Sequence, residues 1–269
     1  KFPLVAKKNA NHTSKFTISG VEFGGDTVPI FAGPNMVESE RLINDIAKNV
    51  KESGAHFLRG GAFKPLSFPY RSEKYNETRH EGLKWMHDAG KSANIPIITE
   101  VMDQRIVDDV AEVTDIIQIG SRNMQNYPLL TECAQTGKPL MLKRHYGASL
   151  RDWLGAAEYL LVEGNEKVIL CERGIRTFET YTRNTLDLSA IPAIKKLSHL
   201  PILVDPSHAS GKAWMVDSLS KAAIVAGADG LIIEVHNNPE QAITDGHQSI
   251  TPSSYKKLVG DLRVLAKAV

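Results

Sequence analysis

The segment 168–172 reads VILCE, and a similar segment at 201–205 reads PILVD. Each is a short run of Val, Ile and Leu that ends on a charged residue. Continuous apolar runs of this length indicate strands that are buried on both faces, as parallel sheets require. Six more such runs occur along the chain, at 28–32, 56–59, 95–100, 115–120, 139–143 and 230–235.

Stretches of helical length and period separate these runs. They lie at 38–53, 79–93, 103–112, 127–136, 149–162, 186–197, 213–226 and 253–267, and Ser39 is the predicted N-cap of the first. Eight β-α units in about 250 residues predict a (β/α)8 TIM barrel of the α/β class. We expect one domain over 1–269, with an N-terminal extension at 1–25. Within it, 15–18 and 21–23 flank Ser19-Gly20 and predict a β-hairpin that caps the N-terminal end of the barrel.

The composition excludes some partners. The 32 basic and 31 acidic residues give a formal net charge of +1, which is not typical of proteins that bind nucleic acid or membrane surfaces. No run of 18 apolar residues and no N-terminal leader is evident, so we expect a soluble, cytoplasmic protein. Cys133 and Cys171 are isolated, which indicates a reducing compartment, and Cys171 is expected to be a buried free thiol.

Polar residues follow most of the predicted strands, where the active sites of barrels lie. The candidates are Asn35, Arg59, Lys64, Glu100, Arg122, Lys143, Arg173, His208 and Glu234. The cations among them, together with Arg144, form a ring at the barrel mouth in a nearly neutral protein. Converging like charges repel unless an anion joins them, so the pattern predicts a ligand that carries phosphate or carboxylate groups.

A second group contains His208, Glu234 and Asp245. One imidazole with two carboxylates is typical of a divalent-metal site that suits Mn or a similar ion. A hydrogen-bonded polar network at the strand ends explains the same residues equally well. The spacing does not decide between these two interpretations.

Long motifs in these regions resemble a known family. They are AGPNMVES (32–39), LRGGAFKP (58–65), ILCERGIRTFET (169–180), LPILVDPSHASG (200–211) and IIEVHNNPEQAITDGHQS (232–249). The chain resembles the 3-deoxy-7-phosphoheptulonate (DAHP) synthases, in the short barrel type related to the 3-deoxy-octulosonate 8-phosphate (KDO8P) synthases. The resemblance runs from about Phe16 to the C-terminus.

The resemblance implies a (β/α)8 enzyme that condenses phosphoenolpyruvate (PEP) with an aldose phosphate, as a homodimer or homotetramer. It implies catalytic roles for Lys64, His208 and Asp245, and metal ligation by His208, Glu234 and Asp245. The PEP-binding residues that it implies are Arg59, Lys64, Glu100, Arg122, Lys143 and Arg173.

Three positions depart from the family pattern. Asn35 replaces the usual metal-binding cysteine, so either no cofactor is needed or a divalent metal (Mn or Zn) is held weakly. Leu66 replaces an arginine that serves the acceptor, and His145 replaces a glycine. The acceptor site would then comprise Pro65, Ser67, Arg71 and His145. The acceptor itself is erythrose 4-phosphate, a KDO8P-type pentose phosphate or an unphosphorylated aldehyde; a catalytically weak PEP-binding protein is a further alternative.

Overall fold

Eight parallel strands close into a barrel in the computed structural model, which describes residues 2–64 and 77–268. The barrel strands are β3 (Ile30–Gly33), β4 (Phe57–Arg59), β5 (Ile97–Val101), β6 (Ile116–Ile119), β7 (Leu140–Lys143), β8 (Val168–Glu172), β9 (Ile202–Val204) and β10 (Gly230–Glu234). Each strand pairs with its sequence neighbour, and β10 pairs with β3 to close the ring. The strands β3, β5, β7 and β9 each begin directly after a proline of the predicted runs, because proline has no N–H for the ladder. The predicted TIM barrel is confirmed.

Helices follow the strands, and most of them cover the outside of the barrel. They are α1 (Glu40–Glu52), α2 (Arg79–Ser92), α3 (Val107–Val113), α4 (Tyr127–Gln135), α5 (Leu150–Val162), α6 (Ala190–Leu197), α7 (Pro206–Ser210), α8 (Val216–Val225) and α9 (Pro252–Leu265). Ser39 caps α1 as predicted, since its side chain accepts a hydrogen bond from the Leu42 N–H. None of the helices in 2–64 and 77–268 is long and apolar enough to cross a bilayer.

Three helical predictions were wrong in detail. The helix expected at 186–197 begins only at Ala190, and the helices expected from 103 and 213 each begin with a 3₁₀ turn. The helix α7 was not predicted, because five residues carry no readable period. It is nucleated by Asp205, whose side chain accepts from the His208 N–H, and Gly211 ends it in the left-handed conformation at φ 66°.

The N-terminal hairpin is confirmed and closes the lower end of the barrel. Its strands β1 (Phe16–Ile18) and β2 (Val21–Phe23) pair antiparallel. Ile18 and Phe23 are buried against side chains that fill the barrel interior. The Phe23 ring lies 6.2 Å from that of Phe31 and 5.8 Å from that of Phe57 between centroids. One end of the barrel is thus a dry apolar core, which leaves the other end for chemistry.

We predict that Phe23→Ala lowers the free energy of unfolding by about 3–5 kcal/mol, because it opens a cavity where the hairpin meets the barrel interior. Urea denaturation measures this loss. The matched control is Phe178→Ala, which removes a ring that is 97% exposed and should leave stability unchanged. Equal effects of the two variants would show that the hairpin does not support the barrel.

Candidate active site

A cavity of about 510 Å³ opens at the C-terminal ends of the strands. Eight residues predicted for the site line it: Asn35, Lys64, Glu100, Arg122, Lys143, Arg173, His208 and Asp245. Eight further residues complete the lining: Gln118, Gly120, Ser121, Tyr146, Arg176, Arg183, Asn184 and Thr244. The volume lies within the range of small-molecule sites, about 300–1,000 Å³. The lining is strongly cationic, in agreement with the prediction.

Arg59 and Glu234 lie behind this lining. Both side chains are almost fully buried, and Arg59 Nη1 lies 3.3 Å from Glu234 Oε1. Arg59 Nη1 also donates to the Pro34 carbonyl at 3.0 Å. Each buried charge therefore has a partner, as low-dielectric surroundings require. This ion pair therefore lies outside the cavity lining and supports the residues that form it.

Asp205 joins two strand ends beneath the cavity. Its Oδ2 accepts from Lys143 Nζ at 2.5 Å and from His208 Nδ1 at 2.8 Å. Burial alone would raise the pKa of Asp205, but His208 and Lys143 hold that pKa well below its usual value. Burial holds the pKa of His208 well below its usual value, so its imidazole is neutral. The Nδ1 atom of His208 faces Asp205, and its Nε2 atom lies 3.0 Å from Glu234 Oε1.

Lys64 lies at the end of the described segment 2–64 and contacts Glu100. Lys64 Nζ is 3.5 Å from Glu100 Oε2, which also accepts from Gln118 Nε2 at 3.2 Å. Burial lowers the pKa of Lys64, the Glu100 charge raises it, and Arg59 and Lys143 lower it; the net direction is downward. An ammonium with a lowered pKa releases its proton more readily, which suits a general acid.

Arg173 is the cation that most clearly requires a ligand. Its side chain is 6% exposed and lines the cavity. Within residues 2–64 and 77–268, no carboxylate oxygen lies within 4.0 Å of its guanidinium. Burial lowers the pKa of Arg173, and the nearby Arg183 adds to that effect. A buried guanidinium without a carboxylate partner points to an anionic ligand.

Asn35 lies among the three potential metal ligands. One ligand atom from each of His208, Glu234 and Asp245 lies within 4.8 Å of the others. Asn35 Nδ2 lies 2.6 Å from Glu234 Oε1, 3.1 Å from Asp245 Oδ2 and 3.3 Å from His208 Nε2. Its Oδ1 accepts from the Thr244 hydroxyl at 3.2 Å.

This orientation of the Asn35 amide does not fit a four-ligand metal site. The amide nitrogen has no lone pair to offer a metal, and it already donates toward the atoms that would bind one. Turning the amide over would place its oxygen against two carboxylates and leave the Thr244 hydroxyl without its acceptor. Three ligands converge, but the fourth position holds a hydrogen-bond donor.

Arg144 was predicted to belong to the cationic ring, and this prediction was wrong. Arg144 Nη1 lies 2.7 Å from Glu172 Oε2 and 2.9 Å from Asp187 Oδ2, and Arg144 does not line the cavity. Adjacent strand residues point to opposite faces, so Lys143 and Arg144 diverge. Glu172 also accepts from the Gly174 N–H at 2.6 Å, where the backbone adopts φ 94°. Arg144 therefore braces the strand ends from outside.

The residues assigned to the acceptor are only partly described. Pro65, Leu66, Ser67 and Arg71 lie outside the described residues. His145 does not line the cavity; its Nδ1 accepts from the Gly147 N–H at 3.1 Å, and its ring lies 4.1 Å from that of Tyr146.

Arg176, Arg183 and Tyr146 line the cavity, although no role was predicted for them. The two arginines come 4 and 11 residues after the end of β8, in the loop that follows it. The signal that could have identified them is the repeated arginine in that long loop, since loops after barrel strands face the site. The fold and the cavity together are typical of a barrel enzyme, and the cationic lining suits anionic small molecules.

Comparison with known proteins identifies the family. Residues 5–268 match the model of the DAHP synthetase I family, so the chain belongs to this family. It is 43% identical over 268 residues to the phospho-2-dehydro-3-deoxyheptonate aldolase of Thermotoga maritima, in an alignment that covers 100% of this chain and 78% of that protein. The 2-dehydro-3-deoxyphosphooctonate aldolase of Desulfotalea psychrophila is 29% identical over 260 residues, with 91% and 92% coverage.

Solved structures agree with this assignment. The crystal structure of the Thermotoga maritima DAHP synthase superposes with a TM-score of 0.94 at 43% identity, covering 98% of this chain and 77% of that one. A truncated form of the 3-deoxy-D-arabino-heptulosonate 7-phosphate synthase from the same organism gives a TM-score of 0.91 at 42% identity, with 99% and 97% coverage.

We predict that Arg144→Met lowers the free energy of unfolding by about 3–5 kcal/mol, because it leaves the Glu172 carboxylate buried without its cation. Chemical denaturation followed by circular dichroism measures the loss. Arg41→Met is the control, since Arg41 is 94% exposed and its ion pair with Asp45 is on the surface. A loss no larger than that of the control would contradict the bracing role.

Proposed function

We propose that this protein condenses PEP with an aldose phosphate, which is the reaction implied by its membership of the DAHP synthetase I family. The observation that carries this proposal is Arg173, a buried guanidinium that lines the cavity without a carboxylate partner among the described residues. PEP supplies a phosphate and a carboxylate, which are the anions that a guanidinium binds best. The family assignment supports the same substrate.

The donor is assigned to the inner part of the cavity. Arg122, Lys143 and Arg173 bind the phosphate of PEP in this proposal, while Lys64 lies nearer its carboxylate. Arg59 acts from behind the wall through its contacts with Glu234 and the Pro34 carbonyl. When PEP binds, Lys143 gains a second anion beside Asp205, and the two negative groups share its three N–H donors.

The chemistry follows from what this arrangement stabilises. Carbon 3 of the enolpyruvate attacks the aldehyde carbon, and Lys64 gives its proton to the aldehyde oxygen as negative charge develops there. Water then adds at carbon 2, and the phosphate leaves with cleavage of its C–O bond. His208 and Asp245 orient that water, and Glu100 keeps Lys64 in place through their 3.5 Å contact.

The acceptor that we assign is erythrose 4-phosphate. A five-carbon sugar phosphate is the second candidate, because Leu66 removes a guanidinium that the family uses on the acceptor, and because relatives named as octulosonate-phosphate enzymes match at 29% identity. A protein that only binds PEP has no use for an acid at Lys64, so we do not favour that alternative.

The first test mixes the purified protein with PEP and erythrose 4-phosphate and follows the loss of enolpyruvate absorbance. We expect kcat/KM of about 10⁴ M⁻¹s⁻¹ or above, as ordinary enzymes show. Arg173→Ala should weaken PEP binding about tenfold or more in calorimetry, because a charge-assisted contact contributes roughly 1.5–3 kcal/mol.

Arg105→Ala is the control for this test, since Arg105 is exposed and pairs only with Asp103 among the described residues. Absence of turnover with any aldehyde would overturn the proposed reaction. Unchanged PEP affinity of Arg173→Ala would overturn the donor assignment.

We also propose that the reaction needs no resident metal, because the Asn35 amide donates toward the three potential ligands. Activity should then survive prolonged treatment with EDTA. Asn35→Cys should create a four-ligand site that binds Zn²⁺ or Mn²⁺, measured by calorimetry and by metal content after gel filtration. Asn35→Ser is the control. An EDTA-treated wild-type enzyme that is dead and is revived by Mn²⁺ or Zn²⁺ would contradict this proposal.

A further inference from the structure

A guanidinium on an aromatic platform stands at the mouth of the cavity. The Arg176 guanidinium carbon lies 4.1 Å from the centroid of the Tyr146 ring. The backbone adds a second link, because the Arg176 N–H donates to the Tyr146 carbonyl at 2.8 Å. A guanidinium that stacks on a ring keeps its N–H edge free for a ligand while its orientation is restricted. Arg176 is therefore preorganised, although it is exposed to solvent.

Most other cations near the cavity are already compensated. Arg59 pairs with Glu234, Lys64 with Glu100 and Lys143 with Asp205. Arg183 lies 3.5 Å from Asp245 and donates to Gln248 at 3.0 Å. Each of these four cations therefore has a carboxylate partner beside it.

Arg173 and Arg176 differ from these cations. Across 2–64 and 77–268, neither guanidinium has a carboxylate oxygen within 4.0 Å. Arg173 is buried at the inside of the cavity, and Arg176 is exposed at its rim, in the same loop after β8. Two uncompensated guanidiniums at different depths are suited to two separate anionic groups.

We propose that Arg176, held on Tyr146, binds the terminal phosphate of the aldehyde acceptor. This inference rests on the proposed function, in which PEP occupies the inner anion site at Arg173. The acceptor must then approach PEP from the open side, and its phosphate remains at the rim while its aldehyde carbon enters. The acceptor is accordingly a phosphate monoester, and an unphosphorylated aldehyde is a poor substrate.

Neighbouring residues support Arg176 over His145 for this role. Burial lowers the pKa of His145, and the charges of Arg173 and Arg176 lower it further, so the imidazole is uncharged near neutral pH. Arg176 carries a permanent charge and forms bidentate contacts with phosphate.

Tyr146 is a positioning residue in this proposal. Its ring contacts the Arg176 guanidinium, so we expect its effect on the acceptor to pass through Arg176. Tyr146→Phe keeps the aromatic face and should retain wild-type kinetics. Tyr146→Leu removes the face and should raise KM for the phosphorylated acceptor while kcat changes little.

The test compares erythrose 4-phosphate with unphosphorylated erythrose at saturating PEP. Arg176→Gln should lower kcat/KM for erythrose 4-phosphate by about tenfold to a hundredfold, the loss expected for one charge-assisted contact. It should leave kcat/KM for erythrose and the affinity for PEP within about twofold of wild type. Arg105→Gln, on the exposed surface, is the matched control.

Two results would overturn the assignment of Arg176. One is an equal loss for the phosphorylated and the unphosphorylated acceptor; the other is a weakened affinity for PEP. If the wild type turns over no aldehyde, the proposed reaction fails separately. The subsite is then decided by titrating inorganic phosphate into the PEP-saturated protein: the wild type should bind one phosphate, and Arg176→Gln should lose that binding while its affinity for PEP is retained. If the PEP-saturated Arg176→Gln variant binds inorganic phosphate as tightly as the wild type does, the proposed subsite is refuted.

Discussion

Closure of eight parallel strands places every strand's C-terminal end on one rim, so charged side chains from distant parts of the sequence must share one cavity. Within a space of about 510 Å³ they cannot spread apart, and each buried charge needs a partner. Glu100, Asp205 and Glu234 each hold one cation beside the cavity. The guanidinium of Arg173 is left for the ligand. The electrostatic balance of the rim thus supports the proposed anion site at Arg173.

The two ends of the barrel consequently differ in character. At the lower end, the hairpin seals the interior with Ile18 and Phe23, and the layers above it are apolar. Cys171 belongs to this interior, and burial strongly raises the pKa of its thiol, which makes it an inert packing residue. The apolar core at the lower end is closely packed, so it supports the polar groups at the upper end and keeps their orientation fixed. Stability and chemistry are separated along the barrel axis.

At the rim, the Asn35 side chain places a hydrogen-bond donor where a metal ion would otherwise bind. The Asn35 amide donates toward Glu234 and Asp245, and its oxygen is held by Thr244. Asp205 meanwhile fixes the ring of His208 through Nδ1. The three potential metal ligands, His208, Glu234 and Asp245, therefore remain close together, while the Asn35 amide donates hydrogen bonds to the two carboxylates. Small changes at single positions can alter the chemistry of such a network without altering the barrel that carries it.

The sequence by itself determined the barrel and the hairpin, and it placed most of the predicted residues at the cavity. Buried strands require continuous apolar runs, and the residues at or just after the end of a run must lie at the rim, so Lys143 and Arg173 could be placed from local pattern alone. Only the tertiary structure decided which charges meet. It turned Arg144 outward to Glu172 and Asp187, and it stacked Arg176 on Tyr146 across 30 residues of sequence. Pairing depends on distances between separate segments, and no periodicity in one segment encodes those distances.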